Sequence, residues 1–120
     1  MTSDPALSNR TAGQQITDEV SSWPRVQAGP GRRGEFSFRV GRREIGHLHG
    51  DHAAHFNFPA PLWSELIDQG QVGPHPVFPN AKGPAARRIT GQADIRDVIA
   101  LLRLNYDRLV PRDEPVEDQP

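Results

Sequence analysis

GEFSFRVGRREIGHLHGDHAAHFNF, residues 34–58, alternates and turns as a β-meander does. Phe36, Phe38 and Val40 are interleaved with Glu35, Ser37 and Arg39, the period-two pattern of a half-buried strand. Gly41-Arg42 fits a two-residue type II′ turn, which wants glycine first, and Gly50-Asp51 offers a second turn. Strands over residues 43–49 and 52–58 follow. With two-residue loops, Phe38 faces Ile45, Phe36 faces His47, Ile45 faces Phe56 and His49 faces His52. One face then collects Phe36, Phe38, Val40, Ile45, Ala54, Phe56 and Phe58 together with His47, His49 and His52. Glu35, Ser37, Arg39, Glu44, Gly46, Leu48, His55 and Asn57 take the other. A slip of one residue would invert one strand.

Upstream, Ile16, Val20 and Trp23 recur at helical spacing, and Pro24 ends that first short helix. Downstream, Pro59 stops the sheet and Pro61 suits the first turn of a second helix. Leu62, Trp63, Leu66 and Ile67 give that helix an apolar side, with Gly70 at its C-terminal end. Residues 71–84 hold four of the 12 prolines and read as a looping segment with a short strand around Val72 or Val77. Residues 85–90 read as a fourth strand. In the last element Ile95, Val98, Ile99, Leu102, Tyr106 and Leu109 form one stripe, with Asp94 as its cap and Pro111 closing it. The expected fold is therefore two-layer α+β: an antiparallel meander packed against an amphipathic C-terminal helix and two shorter helices.

Length allows one domain, placed at residues 13–110 between polar, proline-containing tails at 1–12 and 111–120. With no cysteine there is no disulfide, thiolate nucleophile or cysteine-ligated metal. No stretch approaches the roughly 20 apolar residues of a membrane helix, and no signal-peptide pattern opens the chain, so no membrane partner and a cytoplasmic location are expected. Fourteen basic residues stand against 15 acidic ones, which predicts no specific nucleic-acid partner. Oligomeric state is left open.

His47 and His49, two apart on a strand, leave the same face, and His52 would sit opposite His49. Three imidazoles within about 5–8 Å can exchange protons near neutral pH or ligate a metal. Because Asp51 falls in a turn and Glu44 on the other face, no carboxylate completes a shell; no metal and no cofactor are expected. His75, stiffened between Pro74 and Pro76, belongs to a loop that can line a pocket, and the Tyr106 hydroxyl can reach one. Arg32, Arg33, Arg39, Arg42 and Arg43 crowd the first hairpin. Gly29-x-Gly31-x-x-Gly34 precedes a strand instead of following one, which removes it as a dinucleotide fingerprint.

The runs EIGHLHGDHAAHFNFP, LWSELIDQGQVGPHPVFP and DIRDVIALLRLNYDRL resemble the luciferase-domain family, over residues 23–109. The features that carry the likeness are Glu44-Ile45-Gly46-His47-Leu48-His49, Gly70 with His75 five residues on, and Asn105-Tyr106. The chain departs from the family where Asn80-Ala81-Lys82-Gly83 stands in place of a tryptophan-containing element. The resemblance implies a helix–meander–helix fold. In fungal luciferases the domain oxidises a pyrone-type luciferin with molecular oxygen and no added cofactor. The reading that follows is a domain binding a small planar organic molecule, with cofactor-independent oxygenation as the implied chemistry. In it His47 or His49 accepts a proton, while His75, Tyr106, Phe36 and Phe56 surround the ligand. The alternative is a non-catalytic interaction module that uses the arginine-rich hairpin.

Overall fold

A computed structural model describes residues 10–110. In chain order the elements are α1 (Ala12–Ser21), β1 (Val26–Pro30), β2 (Phe36–Val40), β3 (Arg43–His49), β4 (Ala53–Asn57), α2 (Ala60–Asp68), β5 (Gly73–Pro74), β6 (Pro84–Arg88) and α3 (Gln92–Leu109). The strands form one antiparallel sheet in the order β1-β2-β3-β4-β6-β5, and the helices complete an α+β fold. Residues 1–9 and 111–120, which hold most of the expected tails, lie outside the described residues. Among the described residues no helix is long and apolar enough to cross a membrane.

Each helix starts and stops for a local reason. Thr11 and Gln14 exchange hydrogen bonds in a capping box at the head of α1. Pro61 lies in the first turn of α2, where its missing N–H is no loss, and Gly70 follows α2 with φ +71°. Asp94 is not the cap of α3, as expected, but lies in its first turn behind Gly91. From there one carboxylate oxygen accepts both the N–H and the hydroxyl of Thr90, while the other takes Arg87 Nη2 at 2.7 Å.

The helices cover one side of the sheet. Ile16 and Val20 of α1 and Ile95, Val98, Leu101, Leu102 and Tyr106 of α3 are buried against Phe38, Val40, Ile45, Leu48, Ala54, Phe56 and Ala85. The apolar half of the expected face therefore holds. One strand was not expected, and the short one expected around Val72 or Val77 lies beside Val72 as β5. β1, which carries no alternation, pairs with β2 at one edge, its Pro30 tolerable there because an edge strand needs only half its hydrogen bonds. β5 is only two residues long and closes the other edge.

The meander's register is the main correction. Val40 faces Arg43 and Arg39 faces Glu44 as expected, but a bulge shifts the pairing between Phe38 and Arg39, so that Phe38 faces Gly46 instead of Ile45. Ile45 is the extra residue. Both Ile45 and Gly46 consequently lie on the helix side: Ile45 is fully buried, and a Cβ added at Gly46 would collide with Leu102. Beyond the bulge the alternation of β3 is reversed. Leu48 turns into the core, and His47 and His49 turn out of it. The next turn contains three residues, Gly50 to His52, so Leu48 faces Ala54 and His47 faces His55.

Asn105 holds the bulge in place. It is fully buried on α3, and its Nδ2 donates to Ile45 O at 3.1 Å and Asn57 O at 3.2 Å. Its Oδ1 accepts from Arg108 Nε and Nη2. A bulge interrupts the ladder, and a buried carbonyl at such a point needs another donor. Asn105 supplies it.

Candidate functional site

The side of the sheet away from the helices carries Ser37, Arg39, Glu44, His47, His49 and His55. One row of paired residues runs Ser37, His47, His55, Ala86, Gly73 across five strands. Ala86 is the small member of that row. Past it the chain leaves β5 at Pro74, and His75 folds back until its ring lies 4.4 Å from that of His55. His55 is the centre of the group, with His49 at 4.3 Å and His47 at 5.3 Å between ring centroids. The rings of His47 and His49 are 5.0 Å apart, and Phe78 lies 5.3 Å from His75.

These imidazoles do not have equivalent surroundings. His47 Nδ1 is 2.7 Å from Glu44 Oε2, and Glu44 Oε1 accepts from the buried Ser37 hydroxyl at 2.9 Å. Burial pushes the Glu44 carboxyl up, but the hydrogen bonds from His47 and Ser37 and the nearby Arg39 outweigh it and hold it below its ordinary value. An ionised carboxylate can only accept, so the proton between the two groups belongs to Nδ1, and in the neutral ring the lone pair is on Nε2. His75 is arranged in the opposite sense. Its Nδ1 accepts the Val77 N–H at 3.1 Å, which leaves the proton of the neutral ring on Nε2.

His55 has no such anchor. Burial, followed by the charges of His49, His75 and His47, lowers its pKa from 6.5 to about 4, so it stays neutral at physiological pH. Burial and the same neighbours His47 and His49 lower His75 as well.

The four rings open into a cleft of about 480 Å³ that is also lined by Arg32, Arg33, Arg39, Val77 and Phe78. That volume falls in the range of small-molecule pockets. Val77 and Phe78 are 66% and 55% exposed, which places apolar surface at the mouth of a polar site.

The structure thus brings together His47, His49 and His75 from the expected set and adds His55, which sequence reasoning had put on the other face from His47 and His49. His52 is exposed in the three-residue turn and is not part of the group. Glu44 lies on the face of Ser37 and Arg39, as expected; the bulge brings His47 and His49 round to that face beside it. Phe36, Phe56 and Tyr106 are on the helix side, across the sheet from the imidazoles. Phe36 packs edge-on against Phe38 and lines a separate cleft with Leu48 and the start of α1. Phe56 is buried and stacks on Phe58. The Tyr106 hydroxyl donates to Pro24 O at 2.9 Å, beside Trp23. The arginines also divide: Arg32, Arg33 and Arg39 reach the imidazole cleft, whereas Arg42 and Arg43 line another with Arg25 and Gln27.

A family model described as the luciferase domain matches residues 42–105. That span begins at the β2–β3 turn and ends at Asn105, so it includes Glu44, all four clustered histidines and the asparagine that fixes the bulge. No curated protein and no solved structure matches the chain.

Proposed function

The chain belongs to the luciferase-domain family, and we propose that its imidazole-lined cleft binds a small planar organic molecule with an ionisable hydroxyl and removes that proton. The observation that supports this reading most is the convergence of four histidines, from β3, β4 and the loop after β5, on one cleft that arginines also line. His47 is the proton acceptor: Glu44 fixes its tautomer, aims Nε2 and compensates the charge the ring gains. His49 is the second acceptor. His75 Nε2–H donates to the ligand, the guanidinium of Arg39 faces the developing oxyanion, and Phe78 covers the apolar part of the ring. The oxygenation implied by the family resemblance would begin from the anion so formed.

The ligand roles first assigned to Phe36, Phe56 and Tyr106 pass in this reading to Phe78, Val77 and Arg39, which share the cleft with the imidazoles. The interaction-module reading depends on a single basic hairpin surface, and the division of its arginines between two clefts weighs against it.

NMR shift mapping with phenols and hydroxypyrones, in the presence of EDTA, tests the proposal. The expected result is that His47, His49, His55 and His75 move together on titration, and that His47→Gln weakens binding at least tenfold. Ligands that move only Arg42, Arg43 and their neighbours would defeat it and leave the interaction module in its place.

A further inference from the structure

We propose that His47, His49 and His55 form a binding site for one first-row transition metal ion, zinc being the simplest case, with a coordination position open to the cleft. This goes beyond the ligand reading above and concerns another state of the same imidazoles: a bound ion takes up the lone pairs of His47 and His49, so the proton-acceptor role belongs to the metal-free protein.

One ligand atom from each of the three rings can be chosen so that all lie within 4.8 Å of one another. Neighbouring ligands of a tetrahedral ion with bonds near 2.0–2.1 Å are separated by about 3.3 Å. Rotations about the side-chain torsions cover that difference, because the backbone already supplies the arrangement. His47 and His49 leave the same face of β3, and His55 lies directly across the ladder from His47. The three are held by two hydrogen-bonded strands in the middle of a six-stranded sheet. Three imidazoles with a fourth position open form a donor set suited to zinc, copper, iron or nickel rather than to magnesium or calcium, which prefer oxygen.

The surroundings of His47 are those of a metal ligand. A ligating histidine ordinarily donates its other N–H to a carboxylate or carbonyl, which fixes the ring and raises its basicity as a donor. Glu44 does this at 2.7 Å and is itself held by Ser37. Among the described residues the ring nitrogens of His49 and His55 have no hydrogen-bond partner in the protein, and both rings line the cleft. A shared cation would employ those lone pairs. His75 is not a fourth ligand, because its Nδ1 is engaged by Val77 N–H. Its Nε2–H is a donor to whatever oxygen occupies the open position.

The test is titration of the untagged, EDTA-treated full chain with cobalt(II), read by visible absorption, and with zinc by calorimetry. The expected result is one equivalent bound with a dissociation constant below about 10 µM and the intense visible bands of low-coordinate cobalt. His49→Gln and His55→Gln should each weaken binding at least 100-fold. Glu44→Gln should weaken it about 10–100-fold, as loss of an outer carboxylate does. His52→Gln, in the exposed turn, should leave it unchanged, and far-UV circular dichroism confirms that each variant is folded. Absence of those cobalt bands at stoichiometric metal, or equal losses in His52→Gln and His55→Gln, would overturn the site. The metal titration contains no organic ligand and the ligand mapping contains EDTA, so either proposal can fail alone.

Discussion

His55 concentrates the electrostatic tension of the open face. Its ring is half-buried and touches three other imidazoles, and in the metal-free protein its folded pKa is about 4 against 6.5 for an unconstrained histidine. Between those values the unfolded chain binds the proton and the folded chain does not, so stability rises with pH. The contribution is fully present above about pH 6.5 and is lost as pH falls toward 4. Allowing for solvent screening of a ring that is only partly buried, the loss attributable to this residue is about 1–2 kcal/mol. His75, shifted in the same direction, adds to the slope. Urea denaturation of EDTA-treated protein between pH 4 and pH 7.5 should therefore show a steep fall on the acid side, with His55→Gln flattening it. Identical slopes in the two proteins would remove the crowding argument.

At the scale of elements, the β3 bulge decides what each residue of the meander does. Phe38 is fully buried in the core cluster, and Phe38→Ala is expected to destabilise by about 3–5 kcal/mol through lost transfer energy and the cavity left behind. Ser37→Ala removes one hydrogen bond to Glu44 and should cost about 1 kcal/mol. The same change should alter the ring chemical shifts of His47 through its Glu44 partner, which Phe38→Ala should not do in the protein that remains folded. Equal losses of stability would mean that the two side chains are not on opposite faces. The apolar side of this architecture was legible because the alternation of Phe36, Phe38 and Val40 and the stripe of α3 are local patterns. The bulge was not, because its cause is remote: Asn105 reaches Ile45 O from 60 residues away, and Leu102 occupies the space a side chain at Gly46 would need. Without it, period-two counting sends His47 and His49 to the core side and Glu44 away from them. The alternation puts His55 on the face of Ser37, where it lies, and misses it as a partner because His47 and His49 go to the other face; the three-residue turn then sets it directly across from His47. β1 and β5 form through their neighbours and leave little pattern of their own.

For the molecule as a whole, the sheet separates stability from chemistry. Its helix side holds the buried cluster, including Leu102 and Val98, whereas the imidazoles and the arginines of their cleft lie on the other side. The two faces share only the backbone of β3 and β4, which is stiffened by pairing on both edges. Lesions on opposite sides should therefore have opposite signatures. Leu102→Ala leaves a cavity under Gly46 and should reduce unfolding free energy by about 2–5 kcal/mol. Under conditions where that variant is still folded, its cobalt and hydroxypyrone affinities should stay within about threefold of the parent, since no atom of the cleft is removed. His49→Gln should do the reverse. Its ring is exposed and without a hydrogen-bond partner among the described residues, so the substitution should change unfolding free energy by no more than about 0.5 kcal/mol. Thermal denaturation and ligand titration on the same two variants separate the predictions. A Leu102→Ala protein that is folded but has lost the cleft's affinity would mean that α3 shapes the site through the bulge, and that the sheet transmits packing changes from one face to the other.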